Sequence, residues 1–306
     1  MKKICNSRLL IVIVLLSFIA CNDAAKIEYY PSIEEKNTGK LQLYCDEQLR
    51  PILEQQIEVF EHYYPQADIQ PVYMPERDII TFLLSGKART SIIMRKLSDA
   101  EKKQIETVDS FLCKEHIVAK SALALVSAKS SRAVIPYDSF ITLFNNPEVT
   151  IVLEGKKNDR LAAISKALNI NQFGKNIFAM ENIDSVLYYV NRKPKTIGII
   201  DYSHIADEFS STAQNILKQI EMIKISRNCF DTLQIVYANP NDIFTGCYPL
   251  VLPINYVNTD YRNKLSLGFV NFLVKNKASK VFLRGGYIPA VMPQREILID
   301  TSSIVE

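Results

Sequence analysis

The sequence predicts an α/β protein whose mainly parallel sheets are covered by helices. Three observations lead there. Strand-like runs alternate with amphipathic helical runs from residue 41 onward, apolar residues make up 48% of the chain with only 9 glycines, and 306 residues suit about two domains, each with its own core. Successive strand-helix units in one direction favour parallel strands buried on both faces.

Taken in order, Lys2, Lys3 and Arg8 followed by LLIVIVLLSFIA read as a signal peptide whose apolar run is too short for an ordinary membrane span. Phe18-Ile19-Ala20-Cys21 resembles a bacterial lipobox, which implies cleavage before Cys21 and a lipid on that cysteine, with Phe18 departing from the usual Leu. Removing 20 of 306 residues leaves 286. The basic excess goes with them, because 36 Lys+Arg less the three of the leader equals the 33 Asp+Glu. No electrostatic footprint for nucleic acid remains. Residues 21–38 are polar and aperiodic, and read as a tether.

Leu41 to Tyr44 is strand-like and ends in Asp46 and Glu47. Apolar residues at 49, 52, 53, 57 and 60 then mark a helix closed by Pro65. DIQPVYM predicts a strand, ERDIITFLLSGKA a helix ending near Gly86, and TSIIM a third strand. Ser98 with Glu101 forms a capping box that starts a short helix. HIVAKSALALVSA is a long unbroken apolar strand leaving the first half of the fold. VIPYDSFITLF predicts a turn and short helix, VTIVLEG and TIGIID strands, and DRLAAISKAL and NIDSVLYYVNR helices. Thr259-Asp260 is the expected start of one amphipathic helix, YRNKLSLGFVNFLVKNKASKVFLR, stopped by Gly285-Gly286.

Catalytic and metal motifs are missing. LLSGKA lacks the first glycine and the Ser/Thr of a phosphate loop, and there is no G-x-S-x-G or H-E-x-x-H. His62, His116 and His204 stand far apart with no second His or Cys at ligand spacing, so neither a metal nor another cofactor is expected, and no catalytic residue is assigned. Cys45, Cys113, Cys229 and Cys247 are spaced too irregularly to give a connectivity; unpaired, buried thiols are the default expectation, with one or two bridges open in an oxidising compartment.

The ordered set GKLQLYCDEQLRPILEQQIEVFEHYYPQADI, SIIMRKLSDAEK, SALALVSAKSS, KTIGIIDYSHIAD, GCYPLVLPINYV and LSLGFVNFLVKNKASKVFLRGGYIPAVMPQR resembles the PstS-like, phosphate-type substrate-binding proteins of ABC importers, closest to their Bacteroidetes lipoprotein variants. The match spans residues 39 to 295. It implies a two-lobed periplasmic binding protein-like fold of type II, lobe one being 39–120 plus 236–306 and lobe two 121–235. Two crossover strands join them, one in HIVAKSALALVSA and the other around DTLQIVYANP. It implies a non-enzymatic, lipid-anchored protein on the periplasmic side of the envelope, binding phosphate or a similar oxyanion in the cleft for a permease and ATPase. A protein that kept the fold, lost the anion site and serves an envelope complex is the alternative.

Site residues follow from the same resemblance: Asp46, Glu47, Gln48, Arg95, Asn158, Asp159 and Arg160. Asp46 or Glu47 would accept the proton of a protonated oxyanion, since a carboxylate accepts and cannot donate; capping the next helix is the competing role. Arg95 would contact the anion or pair with Asp99 or Glu101. In the turn GKKNDR, Asn158 and Asp159 replace the family's hydroxyls. Asp159 is expected as an N-cap, and Lys156 and Lys157 either attract the anion or are simply solvated.

Overall fold

A computed structural model describes residues 37–293, apart from 110–111, 130–133, 208 and 261. The expected leader, Cys21 and nearly all of the tether lie outside the described residues. The chain runs β1 (Gly39–Asp46), a 3₁₀ turn (Glu47–Leu49), α1 (Arg50–Tyr63), β2 (Ala67–Met74), α2 (Glu76–Leu84), β3 (Thr90–Ile93), α3 (Asp99–Asp109) and the long β4 (Lys114–Ala128). It continues with β5 (Val134–Pro136), α4 (Tyr137–Leu143), β6 (Thr150–Glu154), α5 (Lys157–Leu168), β7 (Ile177–Met180), α6 (Ile183–Arg192) and β8 (Thr196–Asp201). A second 3₁₀ turn (Tyr202–His204), α7 (Ser211–Gln219), β9 (Ile220–Met222), β10 (Lys224–Cys229) and β11 (Thr232–Val236) follow. The last elements are α8 (Pro240–Thr245), β12 (Val251–Asn258), α9 (Lys264–Leu273), α10 (Asn276–Arg284) and β13 (Ile288–Pro289).

The strands order as β2-β1-β3-β12-β4-β8-β6-β7. Strands β1, β2 and β3 are parallel, as are β6, β7 and β8, while β12 runs antiparallel between β3 and β4. β4 belongs to both halves. Lys114 to Ala122 pairs with β12, and Leu123 to Val126 pairs antiparallel with β8. Its unbroken apolar run explains this, since from Val118 to Val126 only Lys120 is not buried. The result is a two-lobed α/β fold with two curled sheets and one shared strand, as the sequence predicts. Among the described residues no helix is long and apolar enough to cross a membrane.

Each lobe has its own core. In the first, the stripe Ile52, Leu53, Ile57 and Phe60 of α1 packs on β1 and on α9, with Phe60 edge-on to Phe269 and Phe272 at 5.1 and 5.2 Å between ring centroids. Buried Gln56 donates to the Ala278 carbonyl at 2.9 Å, tying α1 to α10. The second core gathers Val126, Phe140, Phe144, Val152, Ile164, Val186 and Ile199. Side chains from residues 236–252, including Val236, Tyr248 and Leu252, pack into that second core. β11 does not cross between sheets. It turns back on β10 in a separate sheet ordered β11-β10-β5.

Two expectations are corrected. The single helix after Thr259-Asp260 is two helices, α9 and α10, and the first starts at Asn263, whose side chain caps the Ser266 amide at 3.2 Å. Thr259 instead donates its amide to the Arg89 carbonyl at 2.8 Å. The break at Val274-Lys275 lets α10 fold back on α1, burying Ala278 and Phe282. The cysteines are not all unpaired either. Cys229 and Cys247 form a disulfide, while Cys45 and Cys113 are free.

Gly246 and Gly286 both sit at positive φ, 78° and 79°, where an L side chain is strained. Around Gly246 nothing lies within 4 Å, whereas a Cβ on Gly286 would meet the Ser203 Cα at 2.5 Å, where α10's end abuts the second 3₁₀ turn. Gly246→Ala should therefore cost about 1 kcal/mol, the backbone term alone, and Gly286→Ala about 2–4 kcal/mol, because backbone must also move. Denaturant unfolding of both variants checks this; equal losses would mean that the Gly286–Ser203 approach relaxes freely.

Candidate functional site

A cleft of about 740 Å³ opens where the carboxyl ends of the parallel strands of both lobes face each other. Asp46 ends β1, Glu76 follows β2 and Arg95 follows β3; on the opposite side Lys156 to Asp159 follow β6 and open α5. This is the edge at which open α/β sheets place ligands.

Asp46 is both a cap and a cleft residue. Its Oδ1 accepts the Gln48 amide at 3.0 Å, fixing the 3₁₀ turn, while the residue is only 2% exposed. Burial pushes its carboxyl up to about 6; the Gln48 amide pulls the other way, and the charges of Glu76, Glu47 and Asp159 add to the rise. Glu47 reaches across the cleft to Lys156 Nζ at 3.0 Å. A second bridge between the lobes joins Glu76 to Lys166 at 2.9 Å.

Arg95 takes the ion-pair role, with two acids. Its Nε donates to Glu76 at 3.0 Å, and its Nη1 and Nη2 donate to the two Glu101 oxygens at 2.7 and 2.6 Å. Glu101 is also the acid of the expected capping box, accepting the Ser98 amide at 2.8 Å. The Arg95 hydrogen bonds hold its carboxyl down at about 2, against burial.

The α5 end departs from expectation. The N-cap position belongs to Lys156, which makes no side-chain cap bond, and Asp159 lies inside the first turn. Asp159 is therefore not the cap. Asn158, Asp159 and Gln48 do line the cleft, with Asp46, Glu47 and Arg95. Arg160 does not. With Ile164 and Leu168 it forms the buried i, i+4 stripe of α5, and its side chain turns beneath the cleft. There Nε donates to the Glu154 carbonyl at 2.8 Å, Nη1 to Asp201 Oδ1 at 2.9 Å, and Nη2 to Asp201 Oδ2.

His204 joins this buried group, its Nε2 2.7 Å from Glu154 Oε1. That hydrogen bond raises the imidazole above its ordinary range, with burial opposing. Ligand atoms of Glu154, Asp201 and His204 lie within 4.8 Å of one another. The Arg160 guanidinium already supplies the positive charge there, and the group reads as a support under α5.

Glu76, Arg77 and Lys166 line the cleft without having been picked out from the sequence. Glu76 carried a usable signal, a helix start directly after a strand, the same pattern that marked Asp46. Lys166 lies in the last turn of α5 and had none.

A family model described as a PBP superfamily domain matches residues 31–277. No curated protein matches the sequence. Among solved structures, the chain is similar to PstS from Borrelia burgdorferi at TM-score 0.64 and 14% identity, covering 82% of this chain and 98% of that one. It is similar to a possible phosphate binding protein from Planctomyces limnophilus at 0.61 and 15%, covering 84% and 94%. An ABC-type phosphate transport receptor from Vibrio cholerae matches at 0.61 and 13%, covering 82% and 100%.

The Asp46 carboxyl generates a prediction. Its folded pKa lies above its unfolded value, so proton binding favours the folded state fully below about pH 4, and that contribution is lost as pH rises through about 6. Asp46→Asn keeps a cap acceptor and removes the buried charge, and should stabilise the fold by about 2 kcal/mol at pH 8 and by almost nothing at pH 4. Urea unfolding at the two pH values checks this. A gain that is larger at pH 4 would reverse the assignment.

Proposed function

The chain belongs to the PBP superfamily, and on that premise we propose that it is a solute-binding protein holding a small oxyanion, phosphate or a close relative, between its lobes for an ABC-type importer. One observation carries this reading. Two helices from opposite lobes, α2 and α5, begin at the cleft with no side-chain cap. The amides of Glu76, Arg77, Lys157, Asn158 and Asp159 find no protein acceptor among the described residues. Unsatisfied amides at a helix start carry partial positive charge and suit an oxyanion.

Binding on this reading is an exchange of partners. Lys156 and Lys166 release Glu47 and Glu76 and turn to the anion; both lysines are largely solvated, and exposed pairs are weak enough to trade. Asp46 accepts the proton of a protonated oxyanion, which sulfate at neutral pH does not carry. Arg95, locked between two acids, positions the wall, and Arg160 holds α5 from below. On this reading the lobes are 39–120 with 236–306, and 121–235, with side chains of 236–252 packing into the second core. A lipid on Cys21 would keep the protein at the envelope, within reach of the permease.

A second reading has its own observation. Each cation lining the cleft is already engaged: Arg77 with Asp78, Arg95 with Glu76 and Glu101, Lys156 with Glu47, Lys157 with the Ile177 carbonyl, and Lys166 with Glu76. Such a balanced cleft suits a binding-protein fold that has given up its anion and works as a module of an envelope complex.

Calorimetric titration separates the two. Phosphate should bind at micromolar or tighter Kd and sulfate at least 100-fold more weakly, and Lys166→Ala should cost phosphate affinity about tenfold, the loss of one charge-assisted contact. Silence with both anions would leave the second reading standing.

A further inference from the structure

The β10–β11 hairpin lies outside the cleft and is built unusually. Its two-residue turn, Phe230-Asp231, has both residues at positive φ, 52° and 62°, in a type I′ turn that normally takes Asn or Gly. A phenylalanine is disfavoured there, and this one is 71% exposed. Strain kept at a surface tip points to a use. Just beyond it, Leu233 and Ile235 are 74% and 58% exposed on one face of β11. The opposite face is buried only at its far end, where Val236 pairs with Ile225; Gln234 is half-buried and Thr232 exposed.

β11 is also an open edge. The sheet order β11-β10-β5 leaves it without a second neighbour among the described residues. Thr232 to Val236 contains no charge and no proline, so the usual protections of an edge strand are missing. In a two-residue hairpin Cys229 and Thr232 form the first hydrogen-bonded pair, and the pattern alternates from there. The backbone groups of Leu233 and Ile235 therefore point outward.

We propose that this edge pairs with the same edge of a second copy of the chain, antiparallel and centred on Gln234. In that register Leu233 stands opposite the other copy's Ile235, and all four outward amides and carbonyls of each edge are matched. Charge agrees with it. Asp231, exposed at one end of the edge, falls opposite Tyr237 of the other copy, and Lys224 lies over that ring at 5.7 Å. The two-fold makes this contact twice. The two three-stranded sheets become one of six strands, with Leu233 and Ile235 of both copies in a continuous apolar band.

The test is cysteine trapping of the full chain in intact cells under a mild oxidant. Gln234→Cys should give a disulfide-linked dimer, and adding Ile235→Lys should reduce it at least tenfold, while Lys40→Cys, more exposed than Gln234 but on the first lobe, should give none. Light scattering of the detergent-solubilised protein should report two chains for the natural sequence and one for Ile235→Lys. A monomer at tens of micromolar, or trapping at Lys40→Cys equal to that at Gln234→Cys, overturns the proposal. Trapping of a larger, mixed species in place of the dimer would overturn it too, and would assign the edge to another protein's strand. None of these outcomes depends on whether the cleft binds phosphate.

Discussion

The fifteen residues of β4 are hydrogen-bonded into both sheets, and the site depends on that continuity. The strand changes partner from β12 to β8 between Ala122 and Leu123. At the same place the Leu123 amide donates to the Leu250 carbonyl at 3.0 Å and the Tyr248 hydroxyl donates to the Leu123 carbonyl at 2.8 Å. Both crossings of the chain are thus stitched together at one level. The parallel strands on either side end facing the same gap. Asp46, Glu76, Arg95 and Lys156 are neighbours because each follows such a strand, although up to 110 residues separate them.

Charge in and beneath the gap sorts by depth. Arg160 with Asp201, and Arg95 with Glu101, are shielded; removing Asp201, or removing Arg95 from Glu101, would leave a buried charge uncompensated, a loss of several kcal/mol. These pairs hold α5 and the turn after β3 in place. The Lys166–Glu76 contact is more solvated and is worth under about 1 kcal/mol. It can hold the lobes together only loosely. Asp46 belongs to neither set, having burial without a cation, and its raised pKa follows directly. A ligand that brings a proton or positive charge near Asp46, and negative charge near the lysines, relieves both conditions together.

Much of this was legible beforehand because it is local. The helical stripe of α1, the capping box of Ser98 and Glu101, and the unbroken run of β4 depend on residues close in sequence, and period or cap chemistry finds them. The split between α9 and α10 was not legible, since the reason for it is the packing of Phe282 against a helix over two hundred residues earlier. The Cys229–Cys247 pairing depends on how β10 meets the return segment, which spacing cannot reveal. Arg160 is different. Its i, i+4 relation to Ile164 and Leu168 was present in the sequence and marks a buried face, but the resemblance of GKKNDR to an anion-binding turn suggested the cleft. Periodicity outranks motif position there, because a side chain on the core face of a helix cannot also reach past its first turn.

The disulfide bears on both surfaces of the protein. It closes a loop of 18 residues that contains the hairpin tip, all of β11 and α8, and such a bridge restricts the unfolded chain by about 3 kcal/mol. Its second effect is mechanical. Cys247 stands just before Tyr248 and Leu250, where the chain begins its return crossing, so the bridge ties everything from β10 to that point to the second core. A hairpin anchored in this way keeps its exposed edge fixed relative to the second core, which is what an interface needs. A bridge of this kind also suits an oxidising compartment.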